Sequence, residues 1–392
     1  MHCKLRGMGR VQKVVFACIL ILFVLSGFAY AKVSGNCNNC HTMHNSQNAS
    51  SMIFDSIAPG SDPNCTTCHN EPRSVLLRMN CLGCHGQDPG GASNIVSLSY
   101  VPQVAHKAST DLAAGNYRYV FQSDPQGDDA KGHNVHGFND ISDDSYQVQA
   151  NYPPGFKSDY DPSADNYQTG NAYRIMCAGR NGCHGNRDYS GQLQAVKGAH
   201  HANDTLLKFG AGFTETGQGD TVGKSYRFLY KVRGAEDSDW EASLGATDHN
   251  EYKGAIYGAS HSSPQTWDSI NTISEFCAEC HGDFHLGGSS GIGSATPWLR
   301  HPTDIVLPDS GEYSVYTAYS TEAPVARQNI NGAGGASGTV SPDTDIVMCL
   351  SCHRAHASLY PDILRWDYST MLSGGGGGSG GCFTCHTLKD NM

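Results

Sequence analysis

The sequence is poor in the material on which ordinary globular domains fold. Only 39% of its 392 residues are apolar and 9% aromatic, while 46 are glycine. That composition excludes one large side-chain core of the usual kind and asks for another source of buried apolar surface. Basic residues are scarce as well. Residues 1–31 hold four of the 26, namely Lys4, Arg6, Arg10 and Lys13, and none of the 37 acidic ones, so the remainder carries 22 against 37, a formal charge of −15. This balance excludes a basic nucleic-acid surface. It favours solubility and steers toward cationic partners or positively charged mineral surfaces. Beyond residue 31 no apolar run is long enough for a stable membrane span, and no cysteine stands alone.

Residues 1–31 have the three parts of a secretory signal: the four basic residues, the apolar run Val14 to Leu25, and Ala29-Tyr30-Ala31 as an A-x-A cleavage site. Lys32 is expected to begin the mature, exported chain. The alternative is an uncleaved anchor, since the 18 residues from Val14 to Ala31 nearly span a bilayer. Cys18 lies too early in the run to be a lipid-attachment site.

With Cys3 and Cys18 set aside, 14 of the 16 cysteines remain, all in close pairs. Six pairs have the form C-x-x-C-H: Cys37, Cys40 and His41; Cys65, Cys68 and His69; Cys81, Cys84 and His85; Cys277, Cys280 and His281; Cys349, Cys352 and His353; Cys382, Cys385 and His386. Two thiols at this spacing form thioethers to the two vinyl groups of one haem, and the following histidine becomes the proximal iron ligand. Disulfides are the usual use of paired cysteines in an exported protein, but they have no need of a histidine at that position. The ribbon-like spacing of Cys65, Cys68, Cys81 and Cys84 also suits zinc, and the same histidines argue against it. The seventh pair, Cys177 and Cys183 before His184, has five intervening residues. Haem is the favoured reading, with glycines 179 and 182 letting the longer loop bulge away; a Cys177–Cys183 disulfide is the alternative. The expected cofactor is therefore haem c in seven copies, or six with that disulfide. The haems would supply the missing core.

Eleven histidines remain after residue 31 for the opposite iron faces, against seven needed. His44, His285 and His356 follow attachment motifs by three, four and three residues. His106, His133 and His301 are further candidates, and one of His200 and His201 is another, with the choice between them open. His136, His249 and His261 are spare, suited to hydrogen bonds with propionates or backbone. His44 is expected to serve a different haem from that of His41, because three residues reach at most ~11 Å, too short to round the macrocycle. It would then be an intramolecular clamp or a joint between subunits.

The expected fold is mostly irregular, with short α-helices and a few β-strands around a row of haems. Its sections are a three-haem part, 32–100, a long-insertion part with the atypical motif, 101–275, and a three-haem part, 276–392. Brief helical turns are expected at the motifs, a short helix from His106 to Ala114, an extended Asn116 to Phe121, a helix from Gln192 to His201 and a strand from Ser225 to Val232 with two-residue alternation. Residues 122–170 read as ordered loop or insertion outside the core. Residues 287–297 and 330–345 read as connectors, and Ser373 to Gly381 as a flexible tether that lets the last motif dock at one end of the row.

The stretches CNNCHTMHNSQ, LAAGNYRYVF, KGHNVHG, CAGRNGCHG, VKGAHH, WLRHPTDI and CLSCHRAH resemble the multihaem c-type cytochromes of metal-reducing bacteria, including periplasmic shuttles and extracellular cytochromes that polymerise into nanowires with bis-histidine haems. The resemblance implies electron transfer rather than enzymatic catalysis, at the outer surface or, alternatively, in the periplasm. Partners would be other redox proteins or extracellular metal and mineral acceptors, with a homopolymer as one form of assembly. A multihaem reductase of a small anion such as nitrite is the rival. It needs an iron with an open position, yet no motif has lysine in place of histidine.

Overall fold

In the computed structural model, residues 41, 46–47, 50–51, 81–86, 102–106, 111–121, 128–135, 153–155, 175–201, 228–229, 232–237, 240–241, 244–256, 272–284, 301, 303–330, 336–374 and 380–389 are described. They are mostly coil. In chain order the regular elements are β1 Ser46–Gln47, β2 Ser50–Ser51, α1 Cys81–His85, α2 Arg118–Phe121, β3 Met176–Ala178, β4 Gly182–His184, α3 Gln192–Ala195, β5 Gly234–Ala235, β6 Glu251–Tyr252, α4 Ile273–His281, β7 Ile305–Val306 and β8 Ile346–Val347, with short 3-10 turns among them. The strands form four two-stranded ladders, all antiparallel except β3 with β4. No helix among the described residues is long and apolar enough to cross a membrane.

Side-chain packing is divided as the composition requires. Among the described residues, buried apolar side chains gather in three small clusters. One gathers Val232, Tyr252, Ile273, Ala326, Ile346, Met348 and Leu350; a second Ala105, Tyr117, Val120, Val135 and Ala357; a third Leu307, Tyr316, Val325, Val340 and Val347. Distant segments are joined by backbone hydrogen bonds instead. Residues 356–358 run between two others: His356 N–H donates to Ala114 and Asn116 N–H to Ala357, while His133 N–H donates to His356 and Ser358 N–H to Lys131. The approach is close enough that a Cβ on Gly115, whose φ is +93°, would lie 1.8 Å from the Ala357 carbonyl oxygen.

Several local expectations are corrected. Residues 111–114 form a turn and not the end of a helix from His106, and Arg118–Phe121 is helical where an extended run was expected. The cause is Asn116, whose Oδ1 accepts from the N–H groups of both His106 and Arg118, fixing a turn and starting the helix. The helix from Gln192 stops at Ala195 and resumes as a 3-10 turn over Ala199–His201, on either side of Gly198 at φ +81°. Phe228, inside the expected strand, has φ +70° and lies in a turn; of the described residues of that stretch only Leu229 bridges, to His184. Asn134 and Val135 are buried, so part of 122–170 belongs to the core. Within 330–345, residues 336–345 pack as structure: Thr339 bridges Ala318, and Val340 and Asp345 are buried.

Candidate haem centres

The C-x-x-C-H spacing sets two thiols and an imidazole along one helical turn, at i, i+3 and i+4. Cys81–His85 is such a helix, and α4 ends on Cys277, Cys280 and His281. Thr272 starts α4, its Oγ1 accepting from Glu275 N–H at 3.1 Å. The two C-terminal motifs use tighter 3-10 turns, Cys349–Ser351 and Gly381–Thr384. Five residues between cysteines cannot fit one helical turn, and at Cys177 the backbone takes another route. Strands β3 and β4 pair in parallel, Met176 with Gly182 and Ala178 with His184, which puts Cys177 opposite Cys183. Gly179, at φ +84°, turns the chain between them. Cys177 and Cys183 are not joined in a disulfide. Cys37, Cys40, Cys65, Cys68 and His69 lie outside the described residues.

Five motif histidines each face a second imidazole at one spacing. The ring centroids lie 6.2 Å apart for His41 and His201, 6.0 Å for His85 and His200, 6.0 Å for His184 and His356, 6.2 Å for His281 and His133, and 6.1 Å for His386 and His301. Two metal–nitrogen bonds of about 2 Å, added to two ring radii of about 1.1 Å set by C–N bonds of about 1.33 Å, give roughly 6 Å. The gap fits one iron between each pair. His200 and His201 each lie opposite a different motif histidine, His85 and His41 respectively.

Hydrogen bonds at the far ring nitrogen support this use. The Nδ1–H groups of His85, His133, His281 and His353 donate to the carbonyl oxygens of Pro102, Ala355, Pro154 and Asp362 at 3.0, 2.9, 2.6 and 2.8 Å. That fixes the tautomer and leaves Nε2 as a lone-pair donor. Burial, seconded by neighbouring imidazoles, pushes His356 down to about 3 and His200 and His281 down to about 4, so these rings are neutral and ready to coordinate at pH 7. Burial also lowers His85 and His353.

The remaining histidines divide. His249 is occupied by the chain itself, its nitrogens 2.9 and 3.1 Å from the carbonyl oxygens of Asn250 and Ser337 and its ring stacked 3.6 Å from Tyr319. His106 is buried, its pKa lowered mainly by burial, with no second imidazole facing it among the described residues. No second imidazole is paired with His353 among the described residues either. His44, His136, His261 and His285 lie outside the described residues. Sequence reasoning missed the acceptors that orient the rings, because Pro154, Ala355 and Asp362 act through backbone oxygens that no motif records.

The motifs also touch one another in sequence order. Cys183 and Cys280 are electrostatic neighbours, the thiols of Cys277 and Cys349 are hydrogen-bonded, and Cys352 lies in the field of Cys382 and Cys385. His200 feels both His85 and His41, and His356 both His184 and His85. The six motifs with described histidines thus form a row running 41, 85, 184, 281, 353, 386.

Residues 344–391, which hold the last two motifs, match the family described as the doubled CXXCH motif. Over 95% of its length the chain is 25% identical to the C-type cytochrome OmcS of Geobacter sulfurreducens, of which it covers 88%. Two solved structures are similar, each aligned over 88% of this chain and 86% of the other: the outer membrane cytochrome S filament of Geobacter sulfurreducens, at 18% identity and TM-score 0.39, and the OmcS nanowires of the same organism, at 20% and 0.43. The doubled CXXCH motif is thus matched in the C-terminal part of the chain, and over most of its length the chain is similar to a c-type cytochrome.

Proposed function

We propose that this protein is an exported electron carrier with seven covalent haem c groups held between paired histidines, working in respiration to extracellular metal or mineral acceptors. The observation that carries the reading is the common spacing of the five imidazole pairs, 6.0–6.2 Å. When bound, haem supplies one-electron exchange between ferric and ferrous iron. His41 with His201, His85 with His200, His184 with His356, His281 with His133 and His386 with His301 would hold a haem iron between them, and burial keeps His200, His281 and His356 neutral for that role. Iron held in this way would suit outer-sphere transfer and leave no position for a substrate. Cys177 and Cys183, opposite each other in the β3–β4 register, serve the seventh attachment.

Absorption and paramagnetic-resonance spectra of the purified oxidised protein test this reading. The expected result is low-spin iron throughout; a substantial high-spin fraction would overturn it in favour of the reductase. His353 is where that rival would show itself, because no second imidazole is paired with it among the described residues. Self-assembly, with His44 reaching a haem other than its own, completes the proposal. In the His44→Ala variant one centre turns high-spin while all thioethers remain, and microscopy of secreted protein reports whether filaments are lost.

A further inference from the structure

The C-terminal motif differs from its neighbours in what holds its histidine. His85, His281 and His353 donate their Nδ1–H to neutral backbone carbonyls, whereas His386 Nδ1 lies 3.2 Å from the Glu312 carboxylate. Glu312 sits in the 3-10 turn Gly311–Val315, 74 residues away in sequence, and its side chain is 11% exposed. Its own backbone oxygen accepts from Thr387 Oγ1 at 2.6 Å, so one residue both docks the motif and faces its imidazole. Lys389 Nζ lies 3.9 Å from the same carboxylate oxygen but is half exposed, and the Tyr313 phenol is the third group against it.

We propose that Glu312 is a positioning residue that makes the centre held by His386 and His301 the most reducing one in the C-terminal part of the row. This rests on the reading that those two histidines share one iron. A carboxylate on Nδ1–H draws the proton toward itself and gives the ring imidazolate character, which strengthens its donation to the metal. The nearby negative charge, screened little at this burial, also favours ferric over ferrous iron. The step concerned is addition of one electron to the ferric centre; no bond breaks and the Nδ1 proton stays in place. An electron placed at this end would move to a less reducing neighbour, so the C-terminal end suits entry of electrons into the row.

The pair is also separable by spectroscopy. Its rings are inclined at 86°, against 17°, 30°, 51° and 59° for the others. Parallel imidazoles donate into the same iron d orbital and split it from its partner. Perpendicular rings load both equally and leave them nearly degenerate, which gives a strongly anisotropic low-spin signal.

The test is a dithionite titration of the whole protein followed by paramagnetic resonance, comparing wild type, Glu312→Gln and Lys389→Met. Glutamine keeps an acceptor and removes the charge, so the one-electron equilibrium of the anisotropic signal should shift about tenfold toward reduction, about 59 mV for one electron, while other signals stay. Lys389→Met should move it a smaller amount in the opposite direction. A retained signal with an unmoved midpoint in Glu312→Gln, or a shift of the same sign in both variants, would overturn the inference. Absence of the anisotropic signal from wild type would instead overturn the shared-iron reading. Were Glu312→Gln to lose the haem, Lys389→Met alone would decide by its sign.

Discussion

The motifs ending at His281 and His184 reach one arrangement through different backbones. The first is a helical turn opened by a threonine cap; the second is a parallel strand pair closed by a glycine at positive φ. Both end with a motif imidazole about 6 Å from its partner. The comparison separates what the chemistry needs from what merely provides it. Thioether formation needs two thiols side by side and a histidine directly after; a spacing of two is one way to achieve that, and on the proposed reading a strand register would be another. The cost of the second route is steric, because a Cβ on Gly182 would sit 2.5 Å from the backbone nitrogen of Ala178.

The largest effect is expected where the two motifs are tied together. Arg187 lies just after His184, and its guanidinium is ion-paired with Glu279 inside the other motif, the side chains 1% and 5% exposed. Glu279→Ala leaves a buried cation without this partner and should cost about 3–5 kcal/mol. Denaturant unfolding should show both motifs affected. An Arg187→Met, Glu279→Met double variant should recover part of the loss, since hydrophobic replacement of a buried pair is often tolerated. A loss confined to one motif would break the link between them.

Smaller effects should separate the two routes. Gly182→Ala is expected to destabilise by about 1–3 kcal/mol and to impair attachment at Cys177 and Cys183 only. Thr272→Ala removes the α4 cap, should cost about 1 kcal/mol, and touches only the helical motif. Unfolding curves and haem content measured in parallel would check both.

The parts of this molecule that were legible in the sequence are those fixed over a few residues. Helical or 3-10 turns at the Cys81, Cys277, Cys349 and Cys382 motifs follow from the i, i+3, i+4 pattern alone. Haem as cofactor and the lack of a single core were readable from composition and cysteine arithmetic. The pairing of histidines was not, because it depends on contacts such as His133 with His281, set 148 residues apart by tertiary structure. His200 and His201 were indistinguishable in sequence for a good reason: each has its own motif histidine to face. The expected extended run before Phe121 failed because a single asparagine side chain redirected the backbone. Glu312 carried no sequence signal at all.

The central claim is that the irregular motif does the work of the regular ones, and intact mass of the denatured, purified protein tests it most directly. Seven thioether-bound haems are predicted, falling to six in the Cys177→Ala, Cys183→Ala double variant. A wild-type mass with six haems and Cys177 oxidised to Cys183 would contradict the claim.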